Sequence, residues 1–191
     1  MKSFRSLFLR DGRVCPWWLA YSFDNPLRRF LHDPQALLGP FVKEGMTVAD
    51  IGCGLGYFSI AMAKMVGGKG TVIAVDLQQE MLDRMRKRAE KSGVASRIRS
   101  VLVAEDDIGI KEPADFVLAF WMVHEVPDIP RFLSRVFSVL KGSGKFLIAE
   151  PRMHVPNRKF QETLEYARSA GFQISAAPDI RISRAAILSK K

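Results

Sequence analysis

Within VADIGCGLGYFSIAMA (48–63) a carboxylate and three glycines stand at fixed spacing: Asp50, Gly52, Gly54 and Gly56, with Tyr57 directly after them. A second carboxylate, Asp76, closes TVIAVD (71–76). Glycine permits positive φ and lets a ligand come close to the backbone. An acid at a strand tip can accept both hydroxyls of a ribose, through charge-assisted bonds of about 1.5–3 kcal/mol each. The pattern suits a nucleoside but not a pyrophosphate. Dinucleotide turns read G-x-G-x-x-G, whereas the position three after Gly54 is the bulky Tyr57. The lysine and Ser/Thr of a phosphate-cradling P-loop are missing, and Asp50 would add negative charge beside a phosphate. An NAD-linked oxidoreductase is disfavoured on the same grounds. A cationic nucleoside ligand without phosphate fits, and S-adenosylmethionine (SAM), with a sulfonium and an ammonium, is such a ligand.

A second group of residues could move protons. His124 and Glu125 lie just past the apolar run ADFVLAFWM (114–122), and Glu150 and His154 lie past KFLIAE (145–150). Histidine titrates in a useful range, and a general base is needed only when the attacking group loses a proton. Each residue also has a structural reading: the histidines as caps or packing for the next helix, the glutamates as acceptors that hold loops. Cys15 and Cys53 form neither a disulfide framework nor a metal-ligand set, so no metal is expected and the cytoplasm is the default compartment. Cys53 reads as a small packing residue inside the glycine turn.

The elements that must position these groups follow from periodicity and turn residues. Asp33-Pro34 reads as a cap and first position of a short helix to about residue 42. Strands are expected over 46–51, 71–76, 98–105, 114–122 and 145–150, the last entered by a turn between Gly142 and Gly144. Helices are expected over 57–65, over 78–92 with Met81, Leu82, Met85 and Ala89 on one face, after Pro130 to about residue 140, and from a cap at Asn157 to about residue 170. The segments 171–180 and 183–190 read as an antiparallel strand pair. Strand–helix alternation with continuous apolar strands predicts an α/β fold: a Rossmann-like three-layer sandwich with a mostly parallel seven-stranded sheet and an antiparallel C-terminal hairpin. In such sheets ligands bind at the carboxyl ends of the strands, where the residues above fall.

The chain has 191 residues, 48% hydrophobic and 26% charged, which suits a single domain. The expected division is a cover segment over 1–34 and a nucleoside-binding domain over 35–191. No apolar run approaches the roughly 20 residues of a membrane-spanning helix. The net charge of +9 is concentrated in RMRKRAEKSG (84–93) and SRIRS (96–100). That is either a solvated helix face or a surface for an anionic partner such as RNA.

VADIGCGLGYFSIAMA and VIAVDLQQEML (72–82), followed in order by AEDDIGI, ADFVLAFWMVHEVPD, LKGSGKFLIAEP and the closing hairpin, resemble the motifs of class I SAM-dependent methyltransferases. The resemblance covers about residues 35–190 and looks most like the small-molecule branch that includes quinone-biosynthesis methyltransferases. It implies SAM as methyl donor, S-adenosylhomocysteine as product, and a small-molecule acceptor of aromatic or apolar character. It further implies that Gly52, Cys53, Gly54, Gly56 and Tyr57 form the turn against the cofactor, with Asp50 at its methionine end. Asp76 would take the ribose hydroxyls, Leu77 the adenine ring, and Glu105 or Asp106 the adenine amino group. Phe120 and Trp121 would wall the methyl end, and Tyr21 would reach in from the cover. An RNA- or protein-directed methyltransferase and a non-catalytic SAM-binding regulator are the alternatives. The N/D-P-P-Y/F/W motif of base-amino methylases is replaced by FWMVHEVPD, which argues against methylation of nucleic-acid amino groups.

Overall fold

The computed structural model describes residues 30–104 and 107–191. The strands β1 (Thr47–Ile51), β2 (Thr71–Asp76), β3 (Ile98–Leu102), β4 (Ala114–Phe120), β5 (Leu140–Pro151), β6 (Phe172–Ala176) and β7 (Ser183–Lys190) form one sheet in the order β3-β2-β1-β4-β5-β7-β6. The first five pair in parallel, and β7 runs antiparallel between β5 and β6. The expected hairpin is present, with its second strand inserted into the sheet and its first strand at the edge.

Among the described residues the α-helices are α1 (Pro34–Leu38), α2 (Tyr57–Met65), α3 (Gln79–Lys91), α4 (Ile129–Val139) and α5 (Asn157–Ser169). Alternation along the strands sends side chains to two cores. Val48, Val72, Ala74, Phe116 and Leu118 pack with α2 and α3, through Phe58, Met62, Leu82 and Met85. Ala49, Ile73, Val117, Phe146 and Ile148 pack with α4 and α5, through Leu133, Val136, Phe160 and Leu164. Burial on both faces is why these strands read as unbroken apolar runs. Each fully buried Val, Leu, Ile, Phe or Met among them contributes about 1.5–3 kcal/mol.

Several boundaries differ from expectation. The helix α1 ends at Leu38, because Gly39 is followed by Pro40, which disfavours a continuing helix. Strand β3 stops at Leu102 and β4 at Phe120, earlier than residues 105 and 122. Strand β5 begins at Leu140, and the glycine pair is a bulge inside it: β4 advances from Ala114 to Phe116 while β5 advances from Leu140 to Lys145. Asn157 is the first residue of α5, and Pro156 occupies the cap. The helix α4 starts one residue before Pro130, where Asp128 caps it by accepting the Arg131 N–H at 2.9 Å.

Candidate functional site

The sheet reverses its winding between β1 and β4, so a crevice opens where their carboxyl ends diverge. The glycine turn follows β1 on one side of it, and the loop after β4 lies on the other. The two sides touch: a Cβ built on Gly52 would stand 2.9 Å from Cγ of Met122. Gly52, Gly54 and Gly56 all have positive φ, at 72°, 51° and 78°. The turn is tied to the neighbouring strand by the Gly52 and Cys53 N–H groups, which donate to the Val75 carbonyl at 2.9 and 3.0 Å.

Asp76, at the tip of β2, is 8% exposed. Its Oδ2 accepts the Gly54 N–H at 2.8 Å and its Oδ1 accepts the Gln78 N–H at 2.9 Å. Burial raises its pKa, and the backbone donors at Gln78, Gly54 and Leu77 act against that rise. A carboxylate offers about four acceptor positions, so with three backbone donors the group keeps capacity for a further one. A Cβ at Gly54 would meet nothing within 4 Å among the described residues, so there the backbone faces open space beside this carboxylate. A ligand with paired hydroxyls fits that arrangement. Leu77, next in sequence, is 37% exposed, an apolar surface against which a flat ring can lie.

Asp50 points to the α2 face of the sheet, as alternation from Val48 requires. It is 3% exposed, and Ser59 of α2 donates its hydroxyl to Oδ2 at 2.5 Å. Cys53 is buried in the turn. Burial, and then the charges of Asp50 and Asp76, push its thiol well above the usual value, so it stays protonated and acts as packing. Tyr57 starts α2 and donates its hydroxyl to the His32 carbonyl at 2.9 Å.

At the end of β4, Phe120 is buried, and Trp121 lies past the strand with φ at 61°. A left-handed tryptophan costs about 1–2 kcal/mol. It is held by its N–H to the Ala149 carbonyl at 2.7 Å and by Nε1–H to Ser183 Oγ at 2.9 Å. The ring of His32 meets Phe120 and Trp121 edge-on, each at 5.0 Å.

The proton-moving candidates also meet. Glu150, 2% exposed, accepts the Val123 N–H at 2.9 Å through Oε1, and its Oε2 pairs with Nδ1 of His124. Burial of the His124 ring opposes its charge, but the hydrogen bond to Glu150 and the charges of Glu150 and Glu125 outweigh this and hold its pKa above the ordinary value. The His154 ring lies 6.2 Å from that of His124, tilted and without a direct bond between them. Alternation along β5 puts Glu150 on the α4/α5 face, opposite to Asp50.

The expectations for Tyr21, Glu105 and Asp106 concern residues outside those described. Sequence reasoning did not single out His32, Ser59, Met122 or Ser183, which support the site through contacts distant in the chain. Only Ser59 carried a local signal, since it falls on the inner face of α2 one turn past the glycines. A separate cavity of about 220 Å³, lined by Asp107, Phe132 and Arg135 among others, includes no residue of the glycine turn. Among the described residues no helix is long and apolar enough to cross a membrane.

Comparison with known proteins agrees with this layout. A SAM-dependent methyltransferase from Aquifex aeolicus superposes with a TM-score of 0.81 at 25% identity, covering 92% of this chain and 98% of that one. A ubiquinone biosynthesis O-methyltransferase from Rhodopseudomonas palustris is 29% identical over 137 residues, 72% of this chain and 51% of its own length. A demethylmenaquinone methyltransferase from Lactobacillus johnsonii is 34% identical over 112 residues, 57% of this chain and 45% of its own. The chain thus spans about half the length of the curated relatives it matches. The family described as "Methyltransferase domain" matches residues 42–185, three-quarters of the sequence, and the chain belongs to that family.

Proposed function

We propose that this protein is a SAM-dependent methyltransferase acting on a small-molecule acceptor. The observation that carries the reading is Asp76, a buried carboxylate fixed by the Gly54 and Gln78 N–H groups beside a Gly54 that has open space around it among the described residues. In this reading Asp76 accepts the two ribose hydroxyls and Leu77 packs on the adenine. The turn from Gly52 to Tyr57 lies along the methionine moiety, with Asp50 and Ser59 behind it. Phe120 and Trp121 exclude water from the reacting end, and residues 1–34, including Tyr21, cover it. Glu105 or Asp106 receives the adenine amino group. When bound, SAM supplies a methyl group already activated on a sulfonium. What remains for the protein is alignment, worth up to about 7–11 kcal/mol.

The names of the relatives favour an aromatic or quinone-like acceptor, and cysteine usage favours the cytoplasm. Isothermal titration with S-adenosylhomocysteine tests the reading. Wild type should bind at micromolar levels, and Asp76→Ala should weaken binding at least tenfold while unfolding cooperatively. No binding to wild type would sink the proposal.

A further inference from the structure

Glu150 does two things with one buried carboxylate. Oε1 fixes the start of the loop after β4 through the Val123 N–H, and Oε2 takes Nδ1 of His124. In the neutral imidazole the proton then sits on Nδ1, facing the carboxylate, and the lone pair is left on Nε2. The side chain of His124 is 28% exposed, so the ring reaches the protein surface. The same loop carries Met122, whose side chain packs on Gly52 of the glycine turn. An imidazole with its inner nitrogen locked on a buried carboxylate and its ring partly exposed, on the loop that meets the glycine turn, has the arrangement of a general base.

We propose that His124 accepts the acceptor's proton at Nε2, that Glu150 is its positioning residue, and that the acceptor is a small molecule presenting an acidic hydroxyl, a phenol or enol, methylated on oxygen. This rests on the methyltransferase reading above. The O–H bond breaks and its proton passes to Nε2. The oxygen pair forms the bond to the methyl carbon as the carbon–sulfur bond breaks, and that pair stays on sulfur. The groups facing the ring are the carboxylates of Glu150 from β5 and Glu125 from its own loop, and the ring of His154 from the segment after β5. The two carboxylates favour the imidazolium formed when the proton arrives.

The test uses the full chain with two probes, catechol and 4-nitrocatechol, the second already ionised at neutral pH. His124→Gln should lose roughly 10²- to 10⁴-fold in transfer to catechol, less than tenfold on 4-nitrocatechol, and nothing in affinity for S-adenosylhomocysteine. A readout without turnover is the absorbance of 4-nitrocatechol in the S-adenosylhomocysteine complex, measured below the pKa of the free probe. It should be that of the anion in wild type and of the neutral form in His124→Gln. In Glu150→Gln the inflection of the catechol rate should move to lower pH. Equal losses on both probes overturn the proposal, as does an unmoved inflection or a wild type that binds S-adenosylhomocysteine yet methylates none of the hydroxyl probes. A wild type that does not bind S-adenosylhomocysteine overturns the wider reading instead.

Discussion

Alanine at Gly54 and alanine at Gly56 separate ligand space from packing space within one turn. Both positions have positive φ, at 51° and 78°, so a Cβ costs about 1–2 kcal/mol at either. The surroundings differ. At Gly54 the new methyl meets nothing within 4 Å among the described residues, whereas at Gly56 it stands 2.3 Å from Cγ of the buried Met85. Overpacking adds about 1–3 kcal/mol, for totals of about 1–2 and 2–5 kcal/mol. For a chain of this size each kcal/mol lowers Tm by roughly 2–4 °C. Thermal unfolding should therefore give a loss of about 2–8 °C for Gly54→Ala and about 4–20 °C for Gly56→Ala. Titration with S-adenosylhomocysteine should invert the order. Gly54→Ala should raise Kd at least tenfold, about 1.4 kcal/mol, and Gly56→Ala, measured well below its transition, should keep most of its affinity. Wild-type affinity in Gly54→Ala would refute the assignment of that space to the ligand. Equal Tm losses would refute the steric contrast.

Two further outcomes follow from buried groups. Ser59→Ala removes the hydroxyl that Asp50 accepts, one donor to a buried carboxylate. Denaturant unfolding should show a loss of about 1–3 kcal/mol, and an unchanged midpoint would refute the role given to that bond. The His124–Glu150 pair makes stability pH-dependent with a definite sign. The folded pKa of His124 lies above its ordinary 6.5, so the pair's contribution is fully present below 6.5 and is lost as pH rises through the folded value. The Tm gap between wild type and His124→Gln should be widest on the acidic side of that window and close above it. A gap that widens with rising pH would contradict the pairing.

The features legible in the sequence are those with local causes. Strands buried on both faces need predominantly apolar runs, and the turn after β1 needs left-handed residues, which glycine supplies openly. The turn and Asp76 are therefore legible together as neighbours, and the Gly54 N–H donates to that carboxylate. Trp121 occupies the same left-handed region with no glycine to announce it, because contacts from β5 and Ser183 hold it there. The sequence named His124 and Glu150 separately. Their pairing depends on β4 and β5 lying side by side, which periodicity does not encode. The start of β5 was missed for a similar reason: Gly142 and Gly144 look like a turn, and only pairing with Ala114 makes them a bulge. His32 was missed because a lone histidine beside a cap gives no sign of the aromatic rings it will meet.

The place of β7 in the sheet has a consequence for synthesis. Ser183–Lys190 lies between β5 and β6, yet it is made after both. Until it emerges from the ribosome, a nascent chain presents the hydrogen-bonding edge of β5 from Phe146 to Pro151, and β6 has no strand to join. An apolar strand edge left open in this way invites pairing with another chain. Closing it requires a contact that skips over α5 and β6, the non-local kind that forms slowly. Truncation within 183–190 should thus do more harm than loss of an edge strand, since it would split the sheet and leave an aggregation-prone intermediate at the point where the chain is still unfinished.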